Sequence, residues 1–422
     1  MTSTPARAGA GALPELLRST RERTLELAAA ISDEDLERQI DPIMSPLVWD
    51  MAHIAAYEDL WLVHRGGGQP LLRPDLAALY DAFETPRAVR GEIEQLNAAE
   101  AREYLAAVRE RAIDVGAQQA VDAEIGEMVL RHELQHRETI CQTLALAQLP
   151  GFEPSFREPI PAATGDHSGL EFVEIESGEF TLGASGDQFA YDNELPRRLL
   201  SGESFAIGRT PVTNGSWLEF IAEGGYVERQ WWSDDGWAWV TAEAITAPLY
   251  WDLSDRAQPV ERTSCGPRQI EPDRPAAHIS FYEAEAFAKS RGARLPTEAE
   301  WEAAAQWRRG SPSDFGGANV GQVSFDTSPV GAYPAGAADC GALDLIGNLW
   351  EWTTSEFDGY PGFKPHPYPE YSQVFFRQGY RVLRGGSWAT DGRVASPSFR
   401  NWDLPQRRQI FSGVRLARDV QR

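Results

Sequence analysis

VDAEIGEMVLRHELQHRETICQTLALA, residues 121–147, reads as the longest helix of the chain and stops ahead of the breakers Leu149-Pro150-Gly151. Working outward, apolar spacing predicts three more helices before it, over 14–30, 46–64 and 97–115. Pro14 stands where a first-turn proline is tolerated, and Leu17, Leu25 and Ala28 fall on roughly one side of the first. The second halts at Gly66-Gly67-Gly68, and Asn97 is a candidate N-cap for the third. Four helices, with one long irregular connection over 66–96, predict a four-helix bundle with a crossover.

The long helix carries RHELQHRE, in which His132 and His136 are four apart and share one face. That spacing suits two imidazoles on one metal, although two surface histidines also fall at this interval by chance. HELQH fits H-E-x-x-H as well, the zinc-protease helix in which the glutamate polarises a metal-bound water. Glu138 lies about 200° round the helix from His136 and does not join both histidines on one ion. No histidine follows before His167, so the downstream ligands of such proteases are missing. His53, in WDMAHIAAYEDLW (49–61) with Trp49 and Tyr57 one turn to either side, offers a third ligand. Three neutral imidazoles from two helices would leave open positions on an iron, zinc or nickel ion.

Beyond a Pro/Gly-rich linker over 157–169 the texture changes to short strand-like runs, many glycines and few helical periods. Residues 172–175 alternate like a strand, and helices are expected over 212–222, 281–291 and 297–305. The expected domains are 1–156, the linker 157–169, and an α+β domain over 170–422. A formal charge of −24, from 39 basic and 63 acidic residues, disfavours nucleic acid and anionic membranes as partners. Cys141, Cys265 and Cys340 are too few and too scattered for a disulfide framework. No signal-like run opens the chain over 1–17 and no apolar stretch is long enough to span a bilayer, so a cytoplasmic protein is expected.

Six ordered motifs then carry a resemblance: EFVEIESGEFTLGA (171–184), DNELPRR (192–198), FAIGRTPVTNGSW (205–217), ARLPTEAEWEAAA (293–305), DLIGNLWEWT (344–353) and VLRGGSW (382–388). Together they resemble the formylglycine-generating enzyme, or sulfatase-modifying factor, fold, which implies a C-type-lectin-like α+β domain. That family's copper–thiolate chemistry needs a cysteine pair near and after RGGSW, and no cysteine follows Cys340. The first half, with HxxxHxE (132–138) and His53, resembles a DinB-like bundle. The fusion resembles the ergothioneine-pathway sulfoxide synthases over nearly the whole chain.

That resemblance implies Fe(II) held by His53, His132 and His136, and O₂-dependent joining of a thiol sulfur to imidazole C2 of hercynine, with the sulfur leaving as a sulfoxide. It implies Gln135 beside hercynine, and Arg87 and Arg90 in ETPRAVR on the carboxylates of γ-glutamylcysteine. It also implies a substrate-binding block at Asn401, Trp402, Asp403 and Arg407, with Asp403 facing an amine and Arg407 a carboxylate. The active-site tyrosine belongs to PHPYPEYS (365–372), at Tyr368 with Tyr371 in reserve. Cysteine as the thiol, or histidine as the acceptor, would fit the same fold. A formylglycine-type oxidase, a zinc hydrolase and a non-catalytic lectin-like module are the remaining alternatives. On the oxygenase reading a monomer is expected, and Glu133→Gln should leave turnover largely intact.

Overall fold

The computed structural model describes residues 13–118, 121–165, 167, 169–186, 189–306 and 317–420. The signal reading over 1–17 falls largely outside them. The chain divides into two compact units, Met1–Phe156 with Ser264–Gly266, and Arg157–Thr263 with Pro267–Arg422.

The first unit holds α1 (Leu13–Ala29), α2 (Asp33–Glu37), α3 (Leu47–Glu58), α4 (Ala98–Gln118) and α5 (Ala123–Ala147). Asn97 caps α4 reciprocally with Glu100, each side-chain oxygen accepting the other's amide at 3.0 Å. Asp122 caps α5 through the Glu124 amide at 2.8 Å. Two departures from the expected helices stand out. The second predicted helix is α-helical only to Glu58 and continues as a π-helical segment, Asp59–Gly66. There the buried Asp59 carboxylate accepts from the Leu72 amide at 2.7 Å and from Arg111 at 2.9 Å. At Gly67, just past it, a Cβ would sit 2.8 Å from the Val115 methyls of α4, so only glycine lets the chain turn there.

The second departure is the face of α1. Leu17 and Ala28 are buried, but Leu25 is 38% exposed, and Arg21 and Thr24 take the inward positions instead. The cause is a buried charge cluster. Arg21 of α1 binds Glu133 of α5 at 2.8 Å and Glu58 of α3 at 2.9 Å, and Arg109 of α4 binds Glu58 at 2.7 Å and also Glu133. Thr24 donates to Glu133 at 2.7 Å, and Arg21 to the Leu105 carbonyl at 2.7 Å. Burial alone would push the Glu133 carboxyl up, but Arg21 and Arg109 outweigh it and hold the pKa at about 2. Two cations and two anions thus link one residue from each long helix.

The second unit is α+β. One sheet orders β1 (Phe172–Ile175), β4 (Phe205–Gly208) and β12 (Ala417–Asp419), and a hairpin joins β2 (Gly178–Leu182) to β3 (Arg198–Gly202). Another small sheet orders β5 (Trp251–Asp252), β6 (Val260–Thr263) and β7 (Gly266–Gln269). The largest sheet runs β10 (Asn401–Asp403), β9 (Arg381–Arg384), β8 (Trp350–Glu356) and β11 (Ser412–Gly413), with only the β8–β11 pair parallel.

The helices are α6 (Asn214–Ala222), α7 (Asp234–Ala242), α8 (Phe281–Ser290) and α9 (Glu298–Ala304), each begun by a Ser or Thr cap. Sequence reasoning missed α7, whose few turns include Gly236 and a run of apolar side chains without a clear period. Trp217, Trp301, Trp350 and Trp352 are at most 2% exposed, so these tryptophans build the core.

Several motif residues of this half form buried ion pairs. Glu351 of WEW grips Arg415 in a fork at 2.7–3.0 Å and accepts from Trp301 Nε1 at 2.6 Å. Glu298 holds Arg400 at 2.8 and 3.0 Å, and Glu302 holds Arg384 of LRGG. At Gly385, with φ of +100°, a Cβ would lie 2.5 Å from the Leu345 carbonyl oxygen, which explains the glycine after that arginine.

The expectation for Glu133→Gln concerned turnover alone, and the buried cluster adds a cost in stability. Removing one charge of a buried set leaves its partners uncompensated and should cost about 3–5 kcal/mol. In chemical denaturation Glu133→Gln should lower the unfolding midpoint of the bundle clearly. Glu15→Gln, in an exposed pair with Arg18 at 3.6 Å, should change stability by less than about 0.5 kcal/mol. Equal midpoints for the two variants would show that the cluster carries no stability.

Candidate metal centre

Positions 132, 135 and 136 of α5 form one stripe, and His53 projects from α3 towards it. One nitrogen from each of His53, His132 and His136 lies within 4.8 Å of the others, the one such group of histidine, cysteine or carboxylate residues found among the described residues. The ring centroids stand 4.6–4.9 Å apart, and the Nε2 atoms of His53 and His132 approach to 3.1 Å.

Each ring is fixed by a different device. His53 Nδ1 donates to the Tyr80 carbonyl at 2.6 Å, which leaves Nε2 as its free lone pair, and the ring stacks on Trp49 at 4.9 Å. His132 lies flat against Tyr57, centroids 3.6 Å apart and planes 7° from parallel. His136 turns Nδ1 towards the buried carboxylate of Asp50 at 3.5 Å. Burial, and then the neighbouring His136, hold the His53 ring at a pKa of about 3; the same causes put His132 well below its ordinary value. Both are therefore neutral at physiological pH, the state in which an imidazole ligates a metal.

The donor set fits a first-row divalent ion: three imidazole nitrogens, with neither thiolate nor carboxylate among them. Glu133 stands next to His132 in sequence, yet its carboxylate is held by Arg21, Arg109 and Thr24. A glutamate so engaged has no free oxygen pair with which to activate a metal-bound water, and this argues against zinc-protease chemistry. Glu138 is buried and stands outside the histidine group.

The other expected site residues fall into their own units. In the bundle, Gln135 is half-buried on the histidine stripe. Arg87 and Arg90 bracket a short 3₁₀ turn, Arg87–Val89, and differ in kind. Arg87 is exposed, whereas Arg90 is buried and donates to the Thr85 carbonyl at 2.9 Å, Ser45 Oγ at 2.7 Å and the Ala82 carbonyl at 3.2 Å. Its guanidinium also lies 3.4 Å over the Trp49 ring that stacks on His53. Burial lowers its pKa to about 10, leaving it charged.

In the second unit Asn401, Trp402 and Asp403 form β10, with Trp402 stacked on Phe357 at 4.1 Å. Asp403 accepts from the Leu404 amide at 2.8 Å and from Gln409 at 3.3 Å, and faces Arg407 at 3.9 Å. Tyr371 stacks face to face on Tyr191 at 4.5 Å, while Tyr368 meets Tyr371 edge-on at 6.2 Å. Asp192, from the DNE motif, accepts from the His366 amide at 3.3 Å and from the Ser372 hydroxyl, and so pins the segment on both sides of Tyr368.

Sequence reasoning did not single out Asp50, Tyr80 or Asp192. Only Asp50 had a local signal, as a carboxylate one turn before His53 inside an apolar run.

Comparison with known proteins agrees with this two-part architecture. Residues 16–140 match the DinB superfamily and residues 158–420 the sulfatase-modifying factor enzyme 1-like domain. The hercynine oxygenase of Mycobacterium tuberculosis is 46% identical over 96% of this chain and 98% of its own length. That of Mycolicibacterium thermoresistibile is 44% identical over 97% and 95%. Ergothioneine biosynthesis protein 1 of Schizosaccharomyces pombe is 28% identical over 58% of this chain and 30% of its own. With near-complete mutual coverage at such identity, and both of its halves matched in order, the chain belongs to the hercynine oxygenase family and is an oxygenase.

Proposed function

We propose that this oxygenase is an iron(II)-dependent sulfoxide synthase of ergothioneine biosynthesis, joining the sulfur of γ-glutamylcysteine to imidazole C2 of hercynine. The balance is simple: C2–H and S–H are lost, one oxygen atom of O₂ enters the sulfoxide and the other leaves as water. The observation that carries the reading is the convergence of one ligand nitrogen each from His53, His132 and His136 within 4.8 Å of one another, with His53 and His132 held neutral. Iron(II) held there would supply the site at which O₂ is activated and the thiolate is bound.

The chain's own residues would orient and protonate. Gln135 and Asn401 offer hydrogen bonds for the hercynine imidazole or carboxylate, and Trp402 offers an aromatic face for its trimethylammonium group. Asp403 and Arg407 present opposite charges 3.9 Å apart, suited to the ammonium and carboxylate of an amino-acid head. Arg87 would take a carboxylate of the γ-glutamyl donor, with Arg90 holding the loop that presents it. Tyr368 Oη would deliver a proton during reduction of O₂, while Tyr371 serves as its packing partner.

Three outcomes are expected. The parent protein should bind one iron(II) per chain and, given hercynine, γ-glutamylcysteine and O₂, release the hercynyl sulfoxide, detected by mass spectrometry. His53→Ala, His132→Ala and His136→Ala should each lose the metal, and full iron retention by any of them would remove that residue from the site. A parent enzyme that uses cysteine as readily as γ-glutamylcysteine would overturn the assigned donor.

Arg87→Ala should lose about 1–3 kcal/mol of binding. It should raise KM for γ-glutamylcysteine roughly 5- to 150-fold, with little change for cysteine. Arg90→Ala should instead lower the unfolding midpoint, because its donors hold the loop. A larger KM effect at Arg90 with unchanged stability would reverse the two assignments.

Tyr368→Phe removes the hydroxyl and keeps the ring, so folding and iron content should survive. Product should shift from the sulfoxide towards γ-glutamylcysteine sulfinic acid with O₂ still consumed, while Tyr371→Phe leaves the ratio near the parent's. The reverse pattern would move the role to Tyr371, and no shift in either would assign proton delivery to another group.

A further inference from the structure

Asp50 and His136 hold two complementary unmet demands. Asp50 is 1% exposed on α3, and its Oδ2 receives no hydrogen bond; His136 Nδ1 on α5 is likewise buried without one. The two side chains face each other, Oδ1 to Nδ1, at 3.5 Å, the outer edge of hydrogen-bond range. A buried carboxylate with an idle oxygen is costly unless something else makes use of its charge. Nearby cations do not meet that demand directly, because three donors of Arg90 point at Thr85, Ser45 and Ala82.

The charge arithmetic of the metal centre supplies the use. Three neutral imidazoles bring no charge, so a divalent ion among them would carry its full +2 into a largely buried place. None of the three ligands is anionic, and Asp50 is the carboxylate that touches one of them. A bound dication also polarises the ring it binds, which strengthens the N–H on the far nitrogen as a donor. The Asp50–His136 contact would therefore tighten when the ion arrives. Asp50 sits three residues before His53, so α3 provides one ligand together with the counter-charge to a ligand on α5.

We infer that Asp50 is a positioning residue of the metal centre: its carboxylate accepts the Nδ1–H of His136, fixes the tautomer that turns Nε2 to the ion, and offsets part of the ion's charge. The inference rests on reading the three histidines as a metal site. It parallels the hold of the Tyr80 carbonyl on His53 but differs in kind, because a carbonyl orients a ring without neutralising anything.

The test begins with the metal-free protein, where the long-range proton–nitrogen spectrum of nitrogen-15 histidine reports each tautomer directly. His136 should be protonated on Nδ1 in the parent and should become a tautomer mixture in Asp50→Ala. Titration with cobalt(II), followed by its absorption bands, and with iron(II) should then show affinity lowered about 10–100-fold in Asp50→Ala. Asp50→Asn keeps an acceptor oxygen and the side-chain volume but not the charge. It should keep the Nδ1–H tautomer and still bind cobalt(II) more weakly than the parent.

Thermal unfolding of the metal-free variants should stay near the parent's, which a merely structural carboxylate would not allow. If Asp50→Ala does not fold, Asp50→Asn decides: parental cobalt(II) affinity in that variant overturns the inference. So does an Nε2–H tautomer of His136 in the parent. A parent that binds neither cobalt(II) nor iron(II) would instead sink the metal reading, and the tautomer result would distinguish the two failures.

Discussion

Burying Glu58 and Glu133 inside an apolar bundle is unfavourable unless each finds compensating charge at close range, and the bundle is arranged around that demand. Arg21 and Arg109 reach them from α1 and α4, so four helices are tied at one level. Glu133 adjoins His132, and Glu58 lies five residues beyond His53 on the same helix. The register that satisfies the charges is therefore the register that brings the histidines together. Apolar packing would tolerate small slides of α3 against α5; a network of ion pairs with fixed geometry does not.

The second unit uses the same physics for a different end. Glu351–Arg415, Glu298–Arg400 and Glu302–Arg384 knit strands and helices far apart in sequence, with Trp301 bonded into the first pair. Glu298, Trp301, Glu302, Glu351 and Arg384 belong to the motifs that carry the resemblance, so those motifs mark the fold more than the chemistry. The residues proposed to meet the substrate lie on β10 and the turn after it, where Asp403 faces Arg407 at 3.9 Å.

Around the histidines, burial keeps the His53 and His132 rings neutral. Trp49 and Tyr57 each cover one ring, and the Arg90 guanidinium lies 3.4 Å from the Trp49 ring. Neutral rings are ready for a metal without first losing a proton. The engaged carboxylate of Glu133 separates this bundle from a hydrolytic centre bearing the same five-residue string, which is why a motif is decided by its surroundings.

Local spacing was enough to place the long helices, the caps at Asn97 and the two-helix origin of the histidines, because periodicity and capping act over a few residues. Its motifs also gave the α+β character of the second half. What it did not reach were partners far apart in the chain. Arg21 turns inward because Glu133 waits 112 residues away, and no hydropathy rule would bury an arginine while exposing Leu25. Asp192 similarly anchors Ser372 across 180 residues. The π-helical segment at Asp59, the stacking of Tyr371 on Tyr191, and the contact of Asp50 with His136 are likewise set by what packs against them. The sequence by itself determined which residues share a helical face; only the tertiary structure decided which charges meet, because that choice depends on burial and on partners the local chain does not contain.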